Sequence, residues 1–340
     1  MRNLKITLII ILGFIVIGLA LVMAYCIKFS GGLDFFHYGN TASLVQERTI
    51  EAGNIKDVTI DYSKNSYDIY IYTTDESDFT VKEYMSGKAS QNEYASIDTN
   101  NDKLLIRGVR QQLQYFFNNN YGYIEVYVPK AYIDSISVIS SSGNIEFPDD
   151  QTFDNISITS SSGDVSIFNL KGTTTNIATS SGNVESDSLE GDKNISSSSG
   201  NISIYNGNGN CNMSANSGNI TIDKLNGKFA VETSSGDIDI TGKSGYGTVK
   251  ASSGNVDISL DEIKGDIEAA ASSGNVSLYL PENAELKFSA DASSGDIDTF
   301  FDADLAYNKD NNSCEGNVGI NPVNHISINT QSGNISVIKN

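Results

Sequence analysis

The residue types that do chemistry are unevenly supplied in this 340-residue chain. There are two histidines, His37 and His325, three cysteines and 22 Lys and Arg residues, against abundant Ser, Asn and Asp. Serine recurs immediately before glycine, which invites comparison with a nucleophile. A serine nucleophile needs a general base within hydrogen-bond reach, oriented by a third group. Two histidines cannot supply that to ten serines. The G-x-S-x-G elbow is missing, and the Ser-Gly pairs precede strand-like rather than helical segments. Two histidines also exclude a His-rich metal centre.

Carboxylates are the next candidates. Asp237 and Asp239, and Asp296 and Asp298, are i,i+2 pairs, and Asp257 falls in the same register as Asp239. Such stacked carboxylates would bind Ca²⁺ weakly or serve a glycan-cleaving enzyme. Other copies of the same repeat put Asn or Ser in these columns, which favours solvated outward side chains. The Ca²⁺-binding pattern G-G-x-G-x-D is absent. No catalytic, cofactor-binding or metal-ligating residue is assigned, and no cofactor is expected. The binding candidates are aromatic. The segment 111–123 (QQLQYFFNNNYGY) gathers Tyr115, Phe116, Phe117, Tyr121 and Tyr123 among amides. Such rings stack on sugars or anchor a peptide; alternatively they close a hairpin over the end of the core.

Internal periodicity dominates the rest. The motif S-G-[ND]-[IV] places its glycine at Gly143, Gly163, Gly182, Gly200, Gly218, Gly236, Gly254, Gly274, Gly295 and Gly333. Spacings run from 18 to 21 residues except the last, 38, inside which Gly316-Asn317-Val318 reads as a degenerate copy. The residue before the glycine is always Ser. The residue after it is only Asn or Asp, and the next is only Ile or Val. Apolar residues recur two positions later and five before the glycine, with polar residues between, the period-2 alternation of strands. Each motif is therefore a corner between strands. Glycine suits a corner at positive φ, Asn and Asp hydrogen-bond locally there, and Ser fits where coils crowd. A second glycine falls nine residues on, at Gly172, Gly191, Gly209, Gly227 and Gly245, giving two corners per period. The expected fold is all-β: a parallel β-solenoid of about eleven coils of 18–20 residues, with stacked Ile/Val columns and a corner Asn ladder.

The domain organisation follows. Residues 1–5 form a short cytoplasmic N-terminus. Residues 6–27 hold no charge over 22 positions, long enough for a transmembrane signal-anchor helix. Arg2 and Lys5 precede it, which favours a cytoplasmic N-terminus and an extracytoplasmic C-terminal domain. A cleaved signal peptide and a lipoprotein anchored through Cys26 are the alternatives. Residues 28–50 read as a juxtamembrane stalk, with Phe35, Phe36 and Tyr38 at headgroup level. Residues 51–132 read as an N-terminal β region or cap, holding eleven of the 17 tyrosines, and 133–340 as the repeat solenoid. Cys211 and Cys314, in distant repeats, are expected to be free thiols. Beyond residue 33 there are 19 basic and 42 acidic residues, a net −23. Such a surface repels phosphate backbones, so nucleic acid is not an expected partner; cationic partners are electrostatically compatible.

The segment Ile124-Glu-Val-Tyr-Val-Pro129, then Ile136-Ser-Val-Ile-Ser-Ser-Ser-Gly-Asn-Ile145, then serial S-S-G-[ND]-[IV] units resemble the adhesin-like β-strand-repeat domains of Gram-positive membrane proteins, whose function is unknown. The resemblance covers roughly 55–340. It implies a β-solenoid displayed on the cell envelope, with a protein or glycan ligand or a part in envelope sensing. The expectation is a non-enzymatic interaction or sensing module. An architectural spacer and a polysaccharide-cleaving β-helix are the other readings.

Overall fold

The computed structural model describes residues 42–86, 90–109, 121–301 and 304–340, and Ala42–Asn340 form one compact unit. The expected span 6–27 lies outside the described residues; among those described, no helix is long and apolar enough to cross a membrane. The described chain is β-structure, with a single 3₁₀ turn at Gln91–Glu93.

Long strands such as Val165–Thr179, Ile220–Ser235, Ile238–Ser253 and Val256–Ser273 bend around the second corner and stack in parallel. Like lies on like: Ile220, Ile238, Val256 and Val276 are register partners in successive coils. Their side chains, and those of Ile145, Val165, Val184, Ile202 and Ile335, are at most 1% exposed. Each such burial stabilises by about 1.5–3 kcal/mol, and stacking makes the column continuous.

The corners are held by a side-chain ladder. The amide of Asn219 donates to Asn201 Oδ1 at 2.9 Å, Asp237 N to Asn219 Oδ1 at 2.9 Å, and Asn255 N to Asp237 Oδ1 at 2.8 Å. The same bond runs from Asp68, through Asn144, to Asp296 at the far end. The acceptor is a γ-carboxamide or γ-carboxylate oxygen, which is why only Asn and Asp occupy the column. The ladder also exposes an eleventh rung. Tyr67-Asp68-Ile69 takes the place of Gly-Asn-Ile, and the Asn144 amide donates to Asp68 Oδ1 at 2.8 Å.

Three expectations change. Glycine is required at the main corner by close approach rather than by φ. A Cβ on Gly163 would overlap the carbonyl oxygen of Gly143, one on Gly182 that of Gly163, and so on up the stack. Of the ten corner glycines only Gly236 and Gly254 carry a positive φ, 158° and 157°, at the margin of extended backbone. The left-handed region is used at the second corner, where Gly191 and Gly209 have φ of 94° and 97°. Second, the serine before each glycine is exposed. Coils crowd three residues before the glycine, where Ser140, Ser160, Ser197, Ala215, Thr233, Ala251 and Thr330 are buried. The Ser and Thr hydroxyls among them turn inward to corner backbone, as Ser160 Oγ does to Gly163 O at 2.7 Å. Third, Gly316-Asn317-Val318 is not a corner. Ser313–Val318 pairs antiparallel with Leu286–Ala292 and with Leu305–Tyr307, because it covers an edge that a further parallel coil would leave open.

The ends do not follow chain order. Asn324–Ser332 and Ile335–Lys339 lie between the coil of Val256–Leu280 and that of Leu286–Thr299. At the other end, Asp57–Tyr62 and Asp68–Thr74 lie between Lys103–Arg107 with Gly122–Pro129 outside and Ser135–Ser160 inside. The outer N-terminal strands are covered antiparallel by Ser96–Asn100 and by Phe79–Met85, which Ser43–Ile50 extends. Tyr62, Tyr67, Phe79, Tyr132 and Phe153 fill the core beneath this cap.

One acid is buried in the cap. Glu83 is 1% exposed; it accepts from the Ala95 amide at 2.7 Å and the Tyr62 hydroxyl at 3.3 Å. Burial outweighs both bonds and pushes its carboxyl up to about 7. Lys193 is the buried base. It donates to Gly191 O at 2.8 Å and Asn208 O at 2.7 Å inside the stack, and burial pulls its pKa down.

Three predictions follow from this packing. Gly200→Ala, which meets the Gly182 carbonyl, is expected to cost about 3 kcal/mol or more in urea unfolding, whereas Gly53→Ala, open to solvent, changes stability by less than about 0.5 kcal/mol. In the ladder no two aspartates adjoin. Asn219→Asp, one rung from Asp237, should therefore destabilise by roughly 0.5–1 kcal/mol more than Asn201→Asp, whose neighbours are Asn183 and Asn219. That difference should disappear in 1 M salt, at a Debye length of about 3 Å; its persistence would contradict a charge origin. Glu83 binds its proton more tightly folded (about 7) than unfolded (about 4.3). Its contribution to stability should be greatest below pH ~4, fall by roughly 3 kcal/mol through pH 4.5–7, and level off above. Glu83→Gln should flatten that part of the stability–pH curve, and an unchanged slope would refute the assignment.

Candidate functional site

The outward residues of a strand are free of the core, so surface chemistry is read along alternate positions. On Asp68–Thr74 these are Tyr70 and Tyr72; on Gly122–Pro129 they are Tyr123, Glu125 and Tyr127; on Phe79–Met85 they are Lys82 and Tyr84. Register places Tyr84 beside Tyr123, Lys82 beside Glu125, Glu125 beside Tyr70, and Tyr127 beside Tyr72. The result is one tyrosine face. Tyr84 and Tyr123 stack at 4.4 Å between ring centroids, Tyr72 and Tyr127 at 5.3 Å, and Tyr70 meets Tyr123 edge-on at 5.8 Å. Tyr121, 48% exposed, flanks Tyr123 at 6.1 Å. Lys82 Nζ sits 5.0 Å from the Tyr127 ring.

Carboxylates thread between the rings. Tyr127 Oη donates to Glu125 at 3.0 Å. Burial, and after it Glu125, pushes the Tyr84 hydroxyl up to about 12; burial with neighbouring carboxylates raises Tyr70, Tyr72, Tyr121, Tyr123 and Tyr127 as well. These hydroxyls stay protonated at physiological pH and can donate hydrogen bonds, while their rings offer flat apolar area.

Of the binding residues expected from sequence, Tyr121 and Tyr123 join this face. Tyr115, Phe116 and Phe117 lie outside the described residues. Tyr70, Tyr72, Tyr84 and Tyr127 were not singled out from sequence. Their signal was present: tyrosines an even number of residues apart, Tyr70 with Tyr72 and Tyr123 with Tyr127, must share one side of a strand.

The other candidates separate. Ser289 Oγ and His325 Nε2 lie 3.0 Å apart, but Asp266 accepts from the His325 backbone amide rather than from its ring. Asp239 and Asp257 are register partners, and burial, then Asp257 and Asp223, raises the Asp239 carboxyl. Asp296 and Asp298 stand on the far side of two intervening coils. Among the described residues no group of three or more His, Cys, Asp or Glu is gathered around a common point. Cys211 and Cys314 are buried and form no disulfide.

No curated protein matches the chain. Among solved structures, it is similar to a protein of Clostridium sporogenes described as a candidate cell adhesion protein (12% identity, 88% of this chain and 100% of that one, TM-score 0.22). It is similar to a candidate adhesin of Bacteroides fragilis (13%, 88% and 99%, TM-score 0.39) and to a candidate lipid-binding protein of Parabacteroides distasonis (14%, 86% and 96%, TM-score 0.37). A family model, Toastrack DUF4097, matches residues 55–240 and again 191–338. The double, overlapping match is what a uniform stack of like coils produces, and on its extent the chain belongs to the Toastrack DUF4097 family.

Proposed function

We propose that the chain is an adhesin-like interaction module without catalytic activity, anchored in the membrane by residues 6–27 and binding a protein or glycan of the cell envelope through its tyrosine face. The observation that carries this reading is the concentration of Tyr70, Tyr72, Tyr84, Tyr121, Tyr123 and Tyr127 on one outward surface of an otherwise Ser/Asn/Thr-rich stack. Exposed ring clusters supply contact area at small conformational cost, because each tyrosine fixes only two torsions. The stack gives the face a rigid mount. Eleven rungs at ~4.8 Å make a rod of about 50 Å, and that length also favours a spacer role, which is compatible with binding.

The test uses the full-length chain on cells and as purified protein. Wild type should retain envelope material in a pull-down. Tyr72→Ala with Tyr123→Ala should reduce retention about tenfold or more, each ring contributing roughly 1 kcal/mol beyond its buried area, at a melting temperature near wild type. Equal retention by the variant would refute the assignment of the face. Protease added to intact cells should remove the solenoid, and full protection would overturn the orientation.

A further inference from the structure

The tyrosine face continues along the stack into a groove. Glu125 pairs in register with Tyr70, Tyr70 with Glu146, Glu146 with Ser166, and Ser166 with Glu185, so one outward row crosses five coils. A second outward row, two residues further along the strands of Ser166 and Glu185, holds Phe168 and Asp187. Between the rows lies a cleft of about 250 Å³, lined by Glu146, Pro148, Ser166, Phe168, Glu185 and Asp187. Phe168 is 48% exposed, a large ring left on the outside of a polar coil.

The charges on this surface are unbalanced. The ion pairs of the described residues engage Glu47, Asp57, Asp75, Glu190, Glu262, Glu268 and Glu282. Glu125, Glu146, Glu185 and Asp187 are in none of them. Lys82 is the cation near the rings; it stands between its register partners Glu125 and Glu47, and its ion pair is with Glu47 at 3.8 Å. Burial, and after it Asp68, raises the Glu146 carboxyl. Four carboxylates held near aromatic faces are complementary to guanidinium and ammonium groups, which gain both a counter-charge and a ring to lie on. A neutral glycan would use the rings and leave the carboxylates unpaired. A divalent cation would need converging ligands, and none converge among the described residues.

We infer that this groove docks an arginine- or lysine-rich extended segment of a protein partner, with Phe168 as the aromatic wall and Glu146, Glu185 and Asp187 as counter-charges. The inference rests on the reading of the tyrosine face as the binding surface and names its partner chemistry.

The experiment measures fluorescence anisotropy of fluorescein-labelled hexa-arginine with the purified full-length chain in non-ionic detergent, from 50 to 300 mM salt. Wild type should bind it, and bind a Gly-Ser peptide of equal length far more weakly. Phe168→Ala alters no charge and should weaken hexa-arginine roughly five- to twentyfold. Glu146→Gln with Glu185→Gln and Asp187→Asn should weaken it further and flatten the salt dependence. Removing three exposed acids elsewhere, with Glu232→Gln, Asp261→Asn and Asp310→Asn, should change affinity less than twofold. Equal affinity of wild type and Phe168→Ala would overturn the inference, since bulk charge alone would then explain binding. So would absence of binding. If hexa-arginine fails to bind while wild type still retains envelope material through its tyrosines, the partner chemistry is wrong and the binding face stands; if both fail, both are wrong.

Discussion

The bond on which this structure depends is the one from a backbone amide to the side-chain oxygen one coil away. A corner turns the backbone out of strand geometry, and its amides would lose the partners that a ladder of strands supplies. Here the amide after each corner glycine finds Oδ1 of the Asn or Asp in the neighbouring coil, as Asn201 N does at Asn183 Oδ1, 2.9 Å away. The carbonyl of that same residue accepts from the Ile or Val of the coil before it, as Asn201 O does from Val184 N at 2.9 Å. Both groups are thereby satisfied, and the side chain is fixed at the spacing of the coils. Glycine completes the arrangement, because the backbones approach too closely for a Cβ. The Ile and Val columns supply most of the stabilisation; the ladder and the glycines determine which residues fall into register with which.

A stack built this way has an unsolved problem at each end, and the ends are where the repeat is abandoned. An exposed parallel edge presents unpaired amides and carbonyls to other chains. The chain answers by placing its first and last coils one step inward and covering the outer coils with antiparallel strands. Both terminal coils are thus paired on two sides. The consequence for folding is that strand Ile335–Lys339 meets Val276–Leu280 across nearly sixty residues, while the coil between them in sequence must be set aside to leave room. Such non-local pairing is slow to form, so the closing of the C-terminal end belongs late in folding.

The solenoid was legible from columns because period, alternation and invariant corner types all follow from stacking. What was misread came from treating sequence order as spatial order. The gap of 38 residues before Gly333 looked like two periods and contains one coil plus an edge-covering hairpin, so Gly316 was mistaken for a corner. The rung at Tyr67-Asp68-Ile69 does not show in the repeat because tyrosine stands where the other corners have glycine, although Asp68 and Ile69 fit their columns. Room for the ring is made by the neighbouring coil, where a Cβ on Gly122 would overlap Tyr67. The tyrosine face was half legible. Period-2 tyrosines mark one side of a strand, but which strands adjoin, Tyr84 beside Tyr123 and Tyr72 beside Tyr127, depends on the displaced first coil and the antiparallel cap.

Stacking also explains why the acidic, aromatic surface is informative. Every outward column brings its members to ~4.8 Å from one another, where like charges repel across the strands. The ladder respects this: Asp68, Asp164, Asp237 and Asp296 each have Asn for neighbours. The row that joins Glu125, Glu146 and Glu185 separates its carboxylates by Tyr70 and Ser166; its one cation, Lys82, stands at the end beside Glu125, and none is set beside Glu146 or Glu185. Stability alone would favour interspersed cations there, as Lys250 is set beside Glu268 and Lys171 beside Glu190 on other surfaces. A folded chain tends to break its local rules where a surface serves something other than folding. Phe168, Tyr72 and Tyr127 break the apolar-inward rule where Glu146 and Glu185 have no cation set beside them, and the two departures coincide on this surface.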